Sequence, residues 1–222
     1  MKIRAIKLLS ISLLFVSFFL TGCKDTFQAS RPSYWPLIKI NGDALMVQMV
    51  GDPFVDPSAV VTIGGTPVPF DTDNPVDPDA PGVYVITYSA ANSDGVTASA
   101  QRTVVILPGA VTNDVDYIEG DYETSPMAGN PAVDDCKIEK IAPGVYHMGN
   151  LWGSGSLALI PGYFFCLDGV TLTVPNQNGG AANIESVSPG VYDDVNFTIT
   201  WTLVRPLFPG GPLVRTKFWA KV

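Results

Sequence analysis

The chain has 222 residues, with 21 acidic and 13 basic side chains and a formal net charge of −8. This acidity argues against nucleic acid as a partner, because clustered lysines and arginines supply the affinity for phosphates. Glycine and proline are frequent, at 21 and 19 residues, while only 15% of the residues are charged. We therefore expect short strands and tight turns rather than helices.

The N-terminus has the pattern of an export signal. A basic segment with Lys2, Arg4 and Lys7 precedes an apolar run from Leu8 to Leu20, which is the order seen in secretory signal peptides. The run is shorter than the ~20 apolar residues that a helix needs to span a bilayer. An uncleaved anchor helix is the alternative interpretation.

Leu20-Thr21-Gly22-Cys23 closes this segment. The tetrapeptide resembles the bacterial lipobox, which implies cleavage after residue 22 and acylation of Cys23. Several acyl chains on one cysteine give stable membrane anchoring. Because residues 1–22 contain three basic residues and no acid, cleavage would change the formal charge from −8 to −11. The expected location is the outer membrane, with the lipid-anchored chain exposed at the cell surface.

Residues 23–36 form the predicted lipid tether and linker, and Pro32 and Pro36 favour an extended conformation there. Residues 37–108 form the first predicted β domain. Glycine-rich and proline-rich turns separate its strands at the spacing of a β-sandwich. The predicted strands are 44–50, 59–63, 83–88 and 96–107.

Three motifs of this domain occur in a characteristic order: the strand 80–88 with Pro81-Gly82, the turn Asp94-Gly95, and the closing strand 101–106 that begins Gln101-Arg102. The series resembles the small immunoglobulin-like domains of bacterial surface proteins, of the hyalin-repeat-related kind. The resemblance implies an immunoglobulin-like sandwich that serves as a spacer or presentation module. A fold of this kind does not specify a ligand.

Residues 109–222 form the second predicted β domain, an antiparallel barrel or sandwich. The patterns at 117–122 and 140–146 resemble the poorly characterised C-terminal domains of bacteroidete cell-surface lipoproteins, which are encoded near glycan-import systems of the outer membrane. The predicted strands are 115–122, 136–141, 145–149, 156–160, 163–167, 170–174, 182–187, 196–204 and 213–220.

The phrase Pro-Gly-Val-Tyr occurs three times, at 81–84, 143–146 and 189–192. Proline followed by glycine favours the two central positions of a type II turn. The sequence therefore predicts the same turn, followed by a strand, at each of the three places.

Cys136 and Cys166 remain once Cys23 is assigned to lipid. Exported proteins commonly pair their cysteines, so a disulfide is predicted that closes a loop of about 30 residues. Two buried thiols are the alternative, because cysteine is also a small core residue.

Nothing in the sequence indicates catalysis. His147 is the one histidine, and no nucleophile elbow, zinc-protease motif or phosphate-binding loop is present. We therefore expect no enzyme, no catalytic residues, no cofactor and no metal. Two alternatives stay open: an unrecognised carboxylate site, and calcium binding by the loop that holds Asp71, Asp73, Asn74, Asp77 and Asp79.

A tryptophan among glycines suggests a binding loop at 149–156. An exposed aromatic ring can stack on a sugar face, which predicts a carbohydrate platform of Trp152 and Tyr163 with Asn150 or Asp168 as hydrogen-bond partners. The alternative is that Trp152 caps the barrel end.

These features predict a monomeric, non-enzymatic surface lipoprotein. It would bind or present glycan for an outer-membrane uptake system, with outer-membrane transport proteins as further partners. The alternative function is a structural spacer or adhesion module that binds protein.

Overall fold

The computed structural model describes residues 32–124, 136–152, 160–177, 184–205 and 212–222. Every regular element in these ranges is a β-strand, and Tyr34–Val222 form one compact unit. The described residues include no helix with the length and apolarity to cross a bilayer. The predicted all-β class is confirmed, while the predicted signal peptide and Cys23 lie outside the described residues.

The first part of the chain folds into two sheets with seven strands. These are β1 (Pro36–Ile40), β2 (Leu45–Met49), β3 (Ala59–Ile63), β4 (Thr66–Pro67), β5 (Asp71–Asp73), β6 (Gly82–Ala91) and β7 (Thr97–Leu107). One sheet has the order β1-β3-β4 and the other β2-β7-β6-β5. The β2–β7 pair is parallel and the other pairs are antiparallel.

The alternating side chains of β6 and β7 give their sheet an inner and an outer face. Ile86 and Tyr88 of β6 pack inward with Val104 and Ile106 of β7 to form the sandwich core. The outer face of the same two strands is also buried, by residues outside the sandwich. Its members are Val83, Val105 and Leu107.

A buried arginine links the two sheets of the sandwich. Arg102 of β7 donates hydrogen bonds to the carbonyl oxygens of Asn41 and Ser58, beside β1 and β3. Its guanidinium carbon lies 5.9 Å from the centre of the Tyr88 ring. These contacts place a cation inside the apolar core, where it requires polar partners.

The second part of the chain forms a closed barrel of eight strands. These are β8 (Gly120–Thr124), β9 (Cys136–Ala142), β10 (Val145–Met148), β11 (Gly162–Cys166), β12 (Thr171–Thr173), β13 (Glu185–Asp193), β14 (Thr198–Arg205) and β15 (Leu213–Lys221). Each strand pairs antiparallel with its neighbours in sequence, and β15 pairs with β8 to close the barrel. A closed barrel has no exposed sheet edge.

Side chains fill the barrel interior. Tyr146 and Phe164 stack with ring centres 5.2 Å apart, and Phe164 meets Trp201 edge-on at 5.4 Å. Trp219, Trp152 and smaller apolar residues complete the same cluster. Eight strands enclose a space that side chains can fill, so the barrel has a packed core.

Residues 110–119 close one end of the barrel, and we name this segment the plug. Val115 and Ile118 enter the barrel core. Three tyrosine hydroxyls from the barrel donate to carbonyl oxygens of the plug. These bonds are Tyr146 to Val115, Tyr122 to Ile118 and Tyr192 to Tyr117. The sequence predicted a strand at 115–122, but only Gly120–Thr124 is a strand, because the residues before it turn into the barrel.

The outer faces of the sandwich and the barrel pack together. Val145 and Phe165 of the barrel form one buried cluster with Val83, Val105 and Leu107 of the sandwich. A single parallel bridge joins Val83 to Gln177. The sandwich and the barrel therefore share an apolar interface in addition to the chain between them.

The three Pro-Gly-Val-Tyr phrases adopt different structures. Gly144 has φ of +67°, as the third position of a type II turn requires. Gly82 begins β6, and Gly190 lies inside β13, where a Cβ would stand 2.8 Å from the carbonyl oxygen of Thr200. The prediction of three identical turns is wrong, because glycine at 190 allows close packing inside the barrel wall instead.

Candidate binding face

Trp152, the centre of the predicted carbohydrate platform, is buried. Its side chain is only 2% exposed and belongs to the barrel core. The Lys217 ammonium lies 5.1 Å from the centre of its ring, which is a cation–π distance. A ring buried in the barrel core is closed to a sugar, so the structure favours the alternative interpretation, in which Trp152 packs with the barrel.

Asn150 has a structural role. It is buried, its backbone N–H donates to the Cys136 sulfur at 3.1 Å, and its side-chain oxygen accepts from the Ile160 N–H at 3.3 Å. These bonds hold the segment beside Trp152, and the predicted role in sugar binding is wrong because the amide faces the core.

Tyr163 and Asp168 are accessible but separate. Tyr163 meets His147 edge-on, with ring centres 5.0 Å apart. Asp168 accepts from the backbone N–H groups of Val170 and Thr171 at 2.9 and 2.6 Å. Hydrogen bonds from Thr171 and Val170 hold the pKa of the Asp168 carboxyl below its usual range. Asp168 is a turn residue near the plug, so the four predicted ligand-binding residues do not form one site.

The predicted disulfide is also wrong for this structure. Cys136 and Cys166 are both buried thiols. Cys136 lies near Asn150, beyond one end of β10, while Cys166 donates its N–H to Gly144 at the other end. About six residues of strand separate these ends, or roughly 20 Å at the rise of a β-strand. A disulfide needs Cα atoms within about 7 Å.

The side chains of the proposed calcium loop shape its turns. Asn74 and Asp77 of the proposed calcium loop accept from the N–H groups of Val76 and Asp79. The described residues contain no group of three or more histidine, cysteine or acidic side chains placed to hold a metal. Burial lowers the pKa of His147, and Glu139 partly opposes this shift.

One shallow groove of about 200 Å³ lies beside the sandwich–barrel junction. Phe165 and Leu167 form its apolar wall, and Asp168 and Thr171 its polar rim. One oxygen of the Asp168 carboxylate accepts both backbone hydrogen bonds of its turn, so the turn already holds this carboxylate.

The outer side of β13, β14 and β15 is a second accessible surface. Val191, Thr200 and Phe218 are directly paired across the three strands. Their chain neighbours Tyr192, Ile199 and Trp219 point into the barrel core. The side chains of Val191, Thr200 and Phe218 therefore point outward. Directly paired side chains on one face of a sheet are in contact range.

A second row lies beside the first. Ser188, Thr202 and Thr216 are paired in the same order, and the hydroxyl oxygens of Thr202 and Thr216 are 3.0 Å apart. We name the two rows together the β13–β15 face. Its six side chains comprise two apolar aliphatic or aromatic groups and four hydroxyls, without a charge.

The exposure of this face is high for apolar residues. Val191 is 53% exposed and Phe218 is 42% exposed. Val214 and Phe197 at its margins are exposed as well, whereas Glu185 and Asp193 mark the two ends of β13. In a chain of charge −8, these uncharged rows with exposed apolar groups are therefore a candidate interaction surface.

The sequence analysis missed this face because it predicted strands at 196–204 and 213–220 without assigning an outer face to them. The signal was present as alternation in Thr198-Ile199-Thr200-Trp201-Thr202-Leu203. Alternation predicts two faces. The isoleucine, tryptophan and leucine form the inner face, and the three threonines form an outer face that can be accessible.

Comparison with known proteins gives a match for the sandwich. Residues 38–106 match a family model described as "Bacterial surface protein, Ig-like domain". The crystal structure of the lipoprotein BT2262 from Bacteroides thetaiotaomicron is similar at 20% identity and a TM-score of 0.38, with 84% of this chain and 100% of that chain covered. No curated protein matches the sequence.

The family match lies within β1–β7 and does not reach the barrel. It confirms the immunoglobulin-like part of the predicted fold, and the strand order shows that the second domain, predicted as an antiparallel barrel or sandwich, is a barrel. The chain therefore carries an immunoglobulin-like sandwich similar to those of bacterial surface proteins, followed by an eight-stranded barrel.

Proposed function

We propose that the chain is a lipid-anchored, non-enzymatic surface protein that binds neutral glycan on the β13–β15 face. The family match supports a place at the bacterial surface, and the lipobox at Leu20–Cys23 supports the anchor. The observation that carries the ligand class is the uncharged row of Val191, Thr200 and Phe218.

A neutral glycan suits this face chemically. The apolar side of a pyranose ring can pack on the Phe218 ring, and its hydroxyls can exchange hydrogen bonds with Thr200 and Thr216, since a hydroxyl both donates and accepts. A polyanionic glycan would meet repulsion from a chain whose formal charge after cleavage is −11. Delivery of bound glycan to an outer-membrane uptake system is part of this proposal.

The packed barrel core favours binding on the outside. Val115 and Ile118 of the plug pack in the same core cluster as Trp152, so side chains occupy the barrel interior in the described part of the chain and the outer surface is what a sugar can reach. The β13–β15 face lies on three paired strands of a closed barrel, and a preformed surface loses less entropy on binding than a flexible one.

The test is retention of the mature chain on a panel of neutral and acidic polysaccharides. For this test the chain is expressed as residues 23–222 with Cys23→Ser, which lacks both the apolar signal segment and the lipid and leaves every residue of the compact unit Tyr34–Val222 unchanged. We expect retention by a neutral glycan and a loss of about tenfold in affinity for Phe218→Ala, equivalent to about 1.4 kcal/mol. The matched control is Trp35→Ala, which removes an exposed aromatic side chain of the sandwich. This variant should bind the glycan with the affinity of the parent chain.

Two outcomes would contradict the proposal. Retention by acidic polysaccharides alone would reject the neutral ligand class. Retention that Phe218→Ala does not reduce would reject the face. If no glycan is retained, the adhesion alternative, in which the same face binds protein, replaces this function.

A further inference from the structure

A second exposed apolar surface lies on the sandwich, at the start of the described chain. Trp35 is 71% exposed, and Tyr34, Leu37 and Val60 are exposed as well. Ile38 and Ile40 of β1 pack into the sandwich core, so the alternate residue Leu37 points outward. We name Tyr34, Trp35, Leu37 and Val60 the β1 surface.

Trp35 differs from the other tryptophans. The chain has four, and Trp152, Trp201 and Trp219 are all buried in the barrel. An exposed tryptophan beside other exposed apolar residues marks an interaction site more often than an isolated one does.

The β1 surface belongs to the folded sandwich. The Asn92 side-chain amide donates to the Tyr34 carbonyl oxygen at 2.9 Å. Tyr34 covers Gly64 so closely that a Cβ there would lie 3.2 Å from its ring. Pro36 is buried and pairs with Ile63. These contacts fix the backbone on both sides of Trp35.

The charge around this surface is unlike that of the chain as a whole. The outward residues Leu37, Lys39, Val60 and Thr62 of β1 and β3 include one lysine and no carboxylate, although the chain has 21 acidic residues. A basic side chain beside exposed aromatics is suited to an anionic or zwitterionic lipid surface.

The position of the lipobox determines which partner lies within reach. Trp35 follows Cys23 by 12 residues, which span at most ~40 Å when fully extended. A lipid on Cys23 therefore keeps the β1 surface within that distance of the headgroups of the same leaflet. Tryptophan and tyrosine favour that zone, because each has an apolar ring with a polar group.

We infer that the β1 surface is a membrane-contact surface that seats the sandwich on the leaflet holding the Cys23 lipid. The inference rests on the proposed lipid anchor. The lipid tethers the chain, and Tyr34, Trp35 and Leu37 orient it by entering the headgroup region. Lys39 adds attraction to lipid phosphates.

The native tryptophans allow a direct test. Lipidated chain is extracted from cells, reconstituted into phosphatidylcholine vesicles with brominated acyl chains, and compared with Trp35→Phe. We expect the bromines to quench the emission of the native chain and to leave most emission of Trp35→Phe, because its three tryptophans are buried in the barrel. Acrylamide should quench Trp35 less on vesicles than in the soluble Cys23→Ser chain. Phe218→Ala, on the β13–β15 face, is the matched control and should be quenched like the native chain.

Flotation of the same vesicles tests the lipid anchor separately from the membrane-contact surface. Chain that floats while Trp35 stays open to acrylamide and insensitive to bromine would overturn the membrane-contact surface and leave the anchor intact. Chain that does not float would overturn both. Concentration-dependent shielding of Trp35 in the soluble Cys23→Ser chain would assign the surface to a second copy and likewise overturn the inference.

Discussion

The Arg102 guanidinium donates to the Asp56 carboxylate over 2.8 Å inside the sandwich, with the arginine side chain fully buried. The same Asp56 oxygen accepts from the Tyr88 hydroxyl at 2.7 Å and from the Ser58 N–H at 3.0 Å. Ser58 has φ of +67°, a conformation that is uncommon for a residue with a side chain. The ion pair thus holds the segment before β3 in an unusual conformation.

We expect Asp56→Ala to lower the free energy of unfolding by about 3 kcal/mol, because a buried charge that loses its partner is strongly destabilising. Chemical denaturation followed by circular dichroism measures the change. The double variant Asp56→Ala with Arg102→Met should lose less than the two single variants added together. Lys137→Ala breaks the exposed pair with Glu139 and should leave stability unchanged. A loss in Asp56→Ala no larger than in Lys137→Ala would show that the buried pair does not hold the sandwich.

The interface between sandwich and barrel predicts cooperative unfolding. Phe165 is buried in the cluster that joins them, and Phe165→Ala should cost about 3–5 kcal/mol through lost burial and a cavity. Calorimetry should show one transition for the native chain and two for the variant. Ile141→Ala, at an exposed barrel position, is the control and should keep one transition. Two well-separated transitions in the native chain would show that sandwich and barrel unfold independently.

Buried tyrosines predict loss of stability at high pH. Burial raises the pKa of Tyr122 and Tyr146, and burial with the Asp56 hydrogen bond raises the pKa of Tyr88 to about 12. The unfolded phenol ionises near 10.0, so above that pH the unfolded state binds fewer protons than the folded state. Stability is therefore complete below pH 10 and falls as the pH rises through the folded values.

Phenolate absorbance during an alkaline titration measures this effect. We expect a part of the tyrosine signal to appear only when the chain unfolds. Tyr146→Phe, which leaves the Val115 carbonyl of the plug without its donor, should lower stability by about 1–3 kcal/mol at neutral pH. Titration of every tyrosine near pH 10 in the folded chain would contradict the buried plug.

The thiols give a prediction about reactivity. Burial raises the pKa of Cys166 to about 11, so little thiolate forms at neutral pH. We expect Cys136 and Cys166 in the Cys23→Ser chain to resist Ellman's reagent when folded and to react fully in denaturant. A mass of the intact chain that is lower by two hydrogens would instead show that the disulfide forms.

Much of the fold could be predicted from alternation in single strands. The predicted strand at 59–63 has the bounds of β3, and the prediction at 83–88 lies inside β6. The conformation of a segment could not be predicted where it depends on contacts with residues far away in the sequence. Val115 and Ile118 look like strand residues, yet they enter the barrel as a plug because Tyr122 and Tyr146 bind their carbonyl oxygens.

The candidate binding face was harder to predict, because it too depends on contacts between residues far apart in the sequence. Trp152 stands among glycines and looks exposed in sequence, but the closed barrel covers it and Lys217 lies over its ring. Val191 and Phe218 look like ordinary strand residues. They form a row only because β14 pairs with both β13 and β15, and a strand order of this kind is not encoded in any one segment.

The most direct test of the proposed function adds a charge to the centre of the β13–β15 face. The Cys23→Ser chain with Thr200→Lys is compared in affinity electrophoresis with Thr66→Lys, a matched exposed strand position on the sandwich. We predict that Thr200→Lys abolishes retention by the neutral glycan that the parent chain binds, while Thr66→Lys is retained normally and both melt at the temperature of the parent chain. Equal retention of the two variants would contradict glycan binding on this face.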